Sequence, residues 1–249
     1  MVCETREPNM KLHYEITEIC LLDAERRNEM YALLAACYDH VTRNVFESDL
    51  TAKTLAVLLL DEKQQLMGFS TQQIYQTRTL DGPLKILFSG DTVITPSCWG
   101  TQELVKGWCE VAARMLKEAD DMPCYWFLIS KGYRTYLYLP LFFQIYHPHP
   151  DERGAELVEI LNHLAEEKLP GCFDTNSGLI RFPSRRGQLG DEFNEIPHHR
   201  DQDRDVRFFL KMNPDYREGV ELACLAPITI ENTHGWGKRM LAQAMKKLS

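Results

Sequence analysis

The period of apolar and polar positions changes several times along the chain, and each change marks an element. From Lys11 to Ile19, Leu12, Tyr14 and Ile16 alternate with polar residues, the two-residue period of a half-buried strand. From Asp23 to Tyr38 the period lengthens to that of a helix. Met30, Leu33, Leu34 and Cys37 form its buried stripe, and Asp23 is placed to cap it. A shorter helix is expected over Val41 to Thr51. Thr54 to Leu60 and Leu66 to Thr77 flank a polar turn and read as an antiparallel hairpin, and Asp81-Gly82-Pro83 turns the chain into a further strand, Leu84 to Ile94.

The second half follows the same logic. Leu104, Trp108, Val111, Ala112 and Met115 give the helix Thr101 to Glu118 a clear core face. Cys124 to Ile129 is continuously apolar, as a central strand covered on both sides would be. Lys131 to Phe143 reads as a helix with Pro140 in its late turn. Between Pro148 and Asp205 the character changes: an amphipathic helix, Glu152 to Lys168, precedes a stretch rich in Gly, Pro, Ser, Arg and Asp. Val206 to Met212 and Glu221 to Ile228 return as apolar segments, read as closing strands, and Trp236 to Leu248 is a short basic helix. The pattern predicts one α/β domain over residues 1–249, with 148–205 as an inserted helical and irregular flap.

Composition narrows the function classes. The net charge of −8 and the small size of the basic clusters, Arg185-Arg186 and Lys246-Lys247, argue against a nucleic-acid partner, which demands concentrated Lys and Arg. The longest apolar run, Leu55 to Leu60, is far too short to span a bilayer, so no membrane partner is expected. Eight scattered cysteines with no C-x-x-C pair, and an N-terminus without a secretory core, predict reduced thiols in the cytoplasm.

The most informative stretch is Ile86 to Gly100. An apolar strand carrying Ser89-Gly90-Asp91 runs into Thr95-Pro96-Ser97-Cys98-Trp99-Gly100, and a helix opens at Thr101. A glycine at such a junction lets backbone N–H groups and the positive end of a helix face an anion, commonly a phosphate. This predicts a nucleotide or coenzyme pocket.

Two motifs in this order of elements resemble the GNAT acyltransferase superfamily. Val93-Ile94-Thr95-Pro96-Ser97-Cys98-Trp99-Gly100 is similar to the family's V-x-P-x-x-(Q/R)-G-x-(G/A), with the proline-to-glycine spacing kept. Leu137-Tyr138-Leu139-Pro140-Leu141-Phe142-Phe143 is similar to its L-Y-x-x-x-G-F. Trp99 stands where Gln or Arg is usual, Gln102 where a second small residue is usual, and Phe142 where the second motif has glycine. The resemblance implies a mixed, mostly antiparallel sheet flanked by helices. It also implies acyl transfer from acetyl-CoA or another acyl-CoA, or a carrier-protein thioester, to a small amine or alcohol. Gly100 and the amides of Trp99, Thr101 and Gln102 would hold the phosphates, the Val93 to Thr95 backbone would line the pantetheine arm, and Tyr138 would protonate the leaving thiolate.

Transfer without a covalent intermediate also needs a base, and Asp91, on the strand just before the loop, is the candidate. Its alternative role is to accept hydrogen bonds in a β-bulge at Ser89-Gly90. Tyr133 and Tyr136 rival Tyr138 as the acid. Cys98 beside a helix N-terminus is a weaker nucleophile candidate. Two other classes remain open: a non-catalytic binding or interaction module on the same fold, and an iron-dependent oxygenase using His199, Asp201 and His234. The cysteine and histidine spacings match no closed structural metal site, so no metal is expected.

Overall fold

A computed structural model describes residues 11–183, 188–190 and 195–248. Eight strands form one sheet: β1 (His13–Glu18), β2 (Leu55–Leu60), β3 (Leu66–Thr79), β4 (Gly82–Ile94), β5 (Cys124–Ser130), β6 (Phe173–Asp174), β7 (Leu179–Ile180) and β8 (Glu221–Pro227). Their spatial order is β1-β2-β3-β4-β5-β8-β7-β6. Every neighbouring pair is antiparallel except β4 and β5, which run parallel. A parallel pair needs a crossover, and helix α3 (Glu103–Lys117) supplies it.

Strand alternation divides the core between the two faces. Ala56, Leu58, Leu60, Phe69 and Val93 point to one face, against Met30 and Leu34 of α1 (Ala24–Cys37) and Phe46 and Leu50 of α2 (Arg43–Thr51). Further along the sheet, Ile86, Phe88, Phe127, Ala223 and Leu225 pack with Leu157 and with Leu161, Leu164 and Ala165 of α6 (Val158–Lys168). Val57, Leu59, Leu87, Trp126 and Leu128 point the other way, into a core with α3 and the C-terminal helix α8 (Gly235–Leu248). Gly107 of α3 has no room for a side chain: a Cβ there would lie 2.3 Å from Val57 and 3.0 Å from the Tyr14 ring. The helix therefore sits directly on β1 and β2.

Three readings of the sequence need correction. The helix read over Glu152 to Lys168 begins only at Val158, because Glu152 and Gly154 have φ of +59° and +100°, which no right-handed helix accommodates. Lys131 to Phe143 is not one helix but two short ones, α4 (Tyr133–Tyr136) and α5 (Tyr138–Phe142). Pro140 lacks the N–H that would bond Tyr136, which weakens the ladder between them. Val206 to Met212 is not a closing strand but lies in helix α7 (Arg204–Met212). Asp203 caps that helix by accepting from the amides of Asp205 and Val206, and Val206 and Phe209 are buried at helical spacing. Within 148–205, α6 covers the sheet, and β6 and β7 extend it beyond β8. No helix among the described residues is long and apolar enough to cross a membrane.

Candidate active site

β4 and β5 pair only from Lys85–Cys124 to Ser89–Leu128. Beyond that point each keeps its outer neighbour. Thr92 to Ile94 stay on β3, opposite Ser70 to Gly68, and Ile129 and Ser130 stay on β8, opposite Ala223 and Leu222. The sheet is thus split open between two strands that are adjacent at their base.

The split begins at a β-bulge. Ser89 pairs with Gln72 and Thr92 with Ser70, so Gly90 and Asp91 together oppose Thr71. An extra residue in one strand bends it and increases its twist, which turns β4 away from β5. Gly90 is required by close approach: a Cβ there would lie 2.4 Å from Lys53 Cε and 2.6 Å from Thr71 Oγ1. A chain of buried polar groups fixes the place. Trp126 Nε1 donates to Ser89 Oγ (2.8 Å), Ser89 Oγ donates to Gln72 Oε1 (2.7 Å), Gln72 Nε2 donates to Ser70 Oγ (2.8 Å), and Ser70 Oγ lies 2.7 Å from Thr92 Oγ1. It ties β5 to β4 and β3 at the root of the opening. Gln72 is fully buried, so its partners are obligatory.

A cavity of about 600 Å³ occupies the split. Its walls come from both faces of the sheet: α1, α2 and the end of α6 on one side, Leu104, Val105 and Trp108 of α3 on the other. Asp91 and Tyr138 both line it, whereas Tyr133 and Tyr136 do not. Tyr133 and Tyr136 are buried, and the Tyr136 hydroxyl donates to Pro148 O at 2.9 Å. Only Tyr138 of the three is placed to meet a ligand in the cavity. Its ring stacks on Phe142 with centroids 6.2 Å apart, and burial raises its pKa, holding the hydroxyl protonated. The buried indole Nε1 of Trp108 has no hydrogen-bond partner among the described residues, and a bound acceptor atom would satisfy it.

Charged groups crowd one end of the cavity. Burial raises the pKa of Asp91, opposed by the charge of Lys131 and reinforced by that of Asp49. Glu221, also buried, is raised for the same reason and lies 3.5 Å from Lys131 Nζ. Burial alone would lower the Lys131 pKa, but Glu221 and Asp91 outweigh it and hold the ammonium protonated. Lys53 Nζ pairs with Asp49 at 2.7 Å. None of Tyr38, Lys53, Lys131, Lys168 and Glu221 stood out in the sequence. They come from five separate places in the chain, and each reads alone as ordinary surface polarity.

The loop residues Val93, Thr95, Trp99, Gly100, Thr101 and Gln102 do not line this cavity. Val93 is buried in the core under α1 and α2. Gly100 has φ +87°, the left-handed conformation that favours glycine, and is exposed. The amides of Trp99 and Thr101 bond locally, to Pro96 O and Cys98 O. Trp99 Nε1 donates to Ile94 O at 3.1 Å, and the Arg134 guanidinium lies 4.6 Å from the centre of the indole. Cys98 is buried. The His199 side chain lies outside the described residues. Asp201 pairs with His198 at 3.3 Å, and His234 Nε2 lies 3.1 Å from Pro140 O. Among the described residues no group of three His, Cys, Asp or Glu side chains is arranged to hold a metal ion.

A mostly antiparallel sheet with helices on both faces, a bulged fourth strand, and a fourth and fifth strand parallel at the base and parted above it decide the architecture. The fold is GNAT-like. No protein-family model and no curated protein matches the sequence. Among solved structures, the chain is similar to a protein of unknown function from Enterococcus faecalis described as a probable N-acyltransferase. Identity is 16%, the match covers 55% of this chain and 33% of that one, and the TM-score is 0.42. It is also similar to a GNAT family N-acetyltransferase from Escherichia coli in complex with CoA, with 12% identity, 50% and 66% coverage and TM-score 0.36. A GNAT family acetyltransferase from Brucella melitensis in complex with acetyl-CoA matches with 15% identity, 46% and 75% coverage and TM-score 0.33. The chain thus spans a third of the first of these proteins and about two thirds of the second.

Proposed function

We propose that this protein transfers an acyl group from a coenzyme A thioester to a small amine, with the reaction centred in the split between β4 and β5. The observation that carries this reading is that Asp91 and Tyr138, on elements flanking the split, line one cavity running through it. Direct transfer needs an acceptor stripped of a proton and a departing thiolate that receives one. Asp91, with its pKa raised by burial, is a stronger base than an ordinary aspartate. Tyr138, held protonated by burial, is the donor for the thiolate. The backbone from Val93 to Thr95, on β4 beyond the point where it parts from β5, would carry the pantetheine arm. Of the loop amides from Trp99 to Gln102, those of Trp99 and Thr101 are bonded within the loop, so the phosphates would face Gly100 and Gln102 at the start of α3.

Two measurements test this. Saturating acetyl-CoA, at ~100 times its Kd, should stabilise the fold by about 2.7 kcal/mol, read as a thermal shift. Tyr138→Phe keeps the ring and its stacking on Phe142, so the melting temperature should stay put while kcat falls by roughly 10²–10⁴. Absence of any shift with acetyl-CoA would sink the reading.

One observation favours the binding-module alternative. Ile94 O, on the lane assigned to the pantetheine arm, is taken by the Trp99 indole, which Arg134 covers. If the indole keeps that carbonyl in the presence of acetyl-CoA, the arm has one acceptor fewer.

A further inference from the structure

Phe88 forms part of the cavity wall, and two ammonium groups lie over its ring. Lys53 Nζ is 5.5 Å and Lys168 Nζ 4.3 Å from the ring centroid. They arrive from opposite sides of the sequence, Lys53 from the turn after α2 and Lys168 from the last turn of α6, and both line the cavity. Their surroundings differ. Lys53 is 2% exposed and paired with Asp49. Lys168 has the amide oxygen of Gln73 and the rings of Tyr75 and Phe88 around it, and no carboxylate within ion-pair distance among the described residues. Of the two cations gathered over this ring, Lys53 is ion-paired with Asp49, whereas Lys168 feels the charges of Asp49 and Glu167 only from beyond ion-pair distance and has no direct anionic partner among the described residues. Such an arrangement costs free energy in the empty protein and returns it when an anion enters. Burial and the neighbouring Lys53 lower the Lys168 pKa, and the opposing charges of Asp49 and Glu167 do not offset them.

The position of this pair relative to the chemistry matters equally. A Cβ on Gly90 would lie 3.2 Å from Lys53 Nζ, so that ammonium touches the backbone immediately before Asp91. An acceptor whose amine reached Asp91 would have its neighbouring substituent beside Lys53.

Resting on the acyl-transfer reading above, we propose that the acceptor is an amine carrying an anionic group, a carboxylate or a phosphate, and that Lys168 and Lys53 bind that group while the amine faces Asp91. A neutral or purely cationic amine lacks the counterion this end of the cavity calls for.

The test measures binding directly and needs no turnover. Trp108 and Trp126 line the cavity, so their fluorescence reports occupancy. Two matched pairs of probes are titrated: phenylalanine against phenethylamine for the carboxylate, and phosphoethanolamine against ethanolamine for the phosphate. In at least one pair the anionic member should bind at least ~10-fold more tightly, about 1.4 kcal/mol. The pair that shows the preference identifies the anion. Lys168→Met should abolish that preference and Lys168→Arg should restore most of it, with unchanged melting temperatures. Equal affinities within both pairs, no binding by any of the four, or a preference that survives Lys168→Met would each overturn the proposal. Such a result leaves the acetyl-CoA thermal shift unaffected, so failure of the subsite and failure of acyl transfer remain distinct outcomes.

Discussion

Glu110 lies in the middle of α3, almost wholly buried, where a carboxylate is costly unless it is fully bonded. Its partners come from three elements. Tyr14 of β1 donates from its hydroxyl at 2.8 Å, Arg114 donates from the next turn at 2.6 Å, and Lys247 of α8 donates at 2.8 Å. Burial would raise the pKa of Glu110, but the hydrogen bonds from Lys247, Tyr14 and Arg114 outweigh it and bring the pKa to about 2, from an ordinary value of 4.5. At ~1.36 kcal/mol per pH unit, that depression sets a ceiling of about 3 kcal/mol on the stability the ionised group contributes. Arg114 and Lys247 are 42% and 66% exposed, so solvent screens their share. Screening brings the expected loss on Glu110→Gln at neutral pH to about 1–2 kcal/mol. The sign with pH is fixed by the depressed pKa. The contribution is complete above pH 4.5 and disappears as pH falls through 4.5 towards 2. Urea unfolding of both proteins, followed by tryptophan fluorescence from neutral to acidic pH, should show a gap that closes on acidification. A gap of constant size, or none at neutral pH, refutes the reasoning.

Asp91→Asn should lower kcat by roughly 10²–10⁴ and remove the acidic limb of the pH–rate profile. In the wild type that limb should lie above the ordinary aspartate range, because the pKa is raised and the base is lost only as pH falls below it. Ser89→Ala leaves both Trp126 Nε1 and Gln72 Oε1 without a partner at the root of the split. It should destabilise the protein by about 2–3 kcal/mol in chemical denaturation. A cost below measurement error would show that the polar chain does not hold the bulge.

The elements of this fold were legible because each is marked by local chemistry. The cap at Asp23, the apolar run of β5 and the core face of α3 all read correctly from single segments. The junction at Gly100 was legible for the same reason, a positive φ that a side chain resists. Motif spacing singled out Tyr138, and position on the strand just before the loop singled out Asp91; both line the cavity, and Ser89-Gly90 marked the bulge. The segment 206–212 misled because a short apolar run carries too little periodicity to separate helix from strand. What stayed hidden was the charged end of the cavity. Lys53, Lys131, Lys168 and Glu221 meet only through tertiary structure. One available signal was polar residues inside otherwise apolar strands: Ser70, Gln72 and Ser89 belong to the network that ties β5 to β4 and β3 at the root of the split.

Where the sequence departs from the GNAT motifs it resembles, the packing is complete rather than loose. Phe142 stands where the family has glycine, adding a whole ring to a tight place. The missing volume reappears elsewhere: Gly237 of α8 faces that ring, and a Cβ there would lie 2.1 Å from Phe142 Cδ1. The ring also touches Trp236 at 5.9 Å and Trp108 at 6.0 Å between centroids, and it stacks on Tyr138. A bulky residue at 142 is therefore matched by a glycine nearly a hundred positions away, and together they build the wall that orients the Tyr138 phenol. An unmatched ring at such a site would leave a cavity or a clash, each costing about 1–5 kcal/mol. Instead the core is filled: Phe142 is 2% exposed, and Tyr138, stacked on it, lines the cavity in the split.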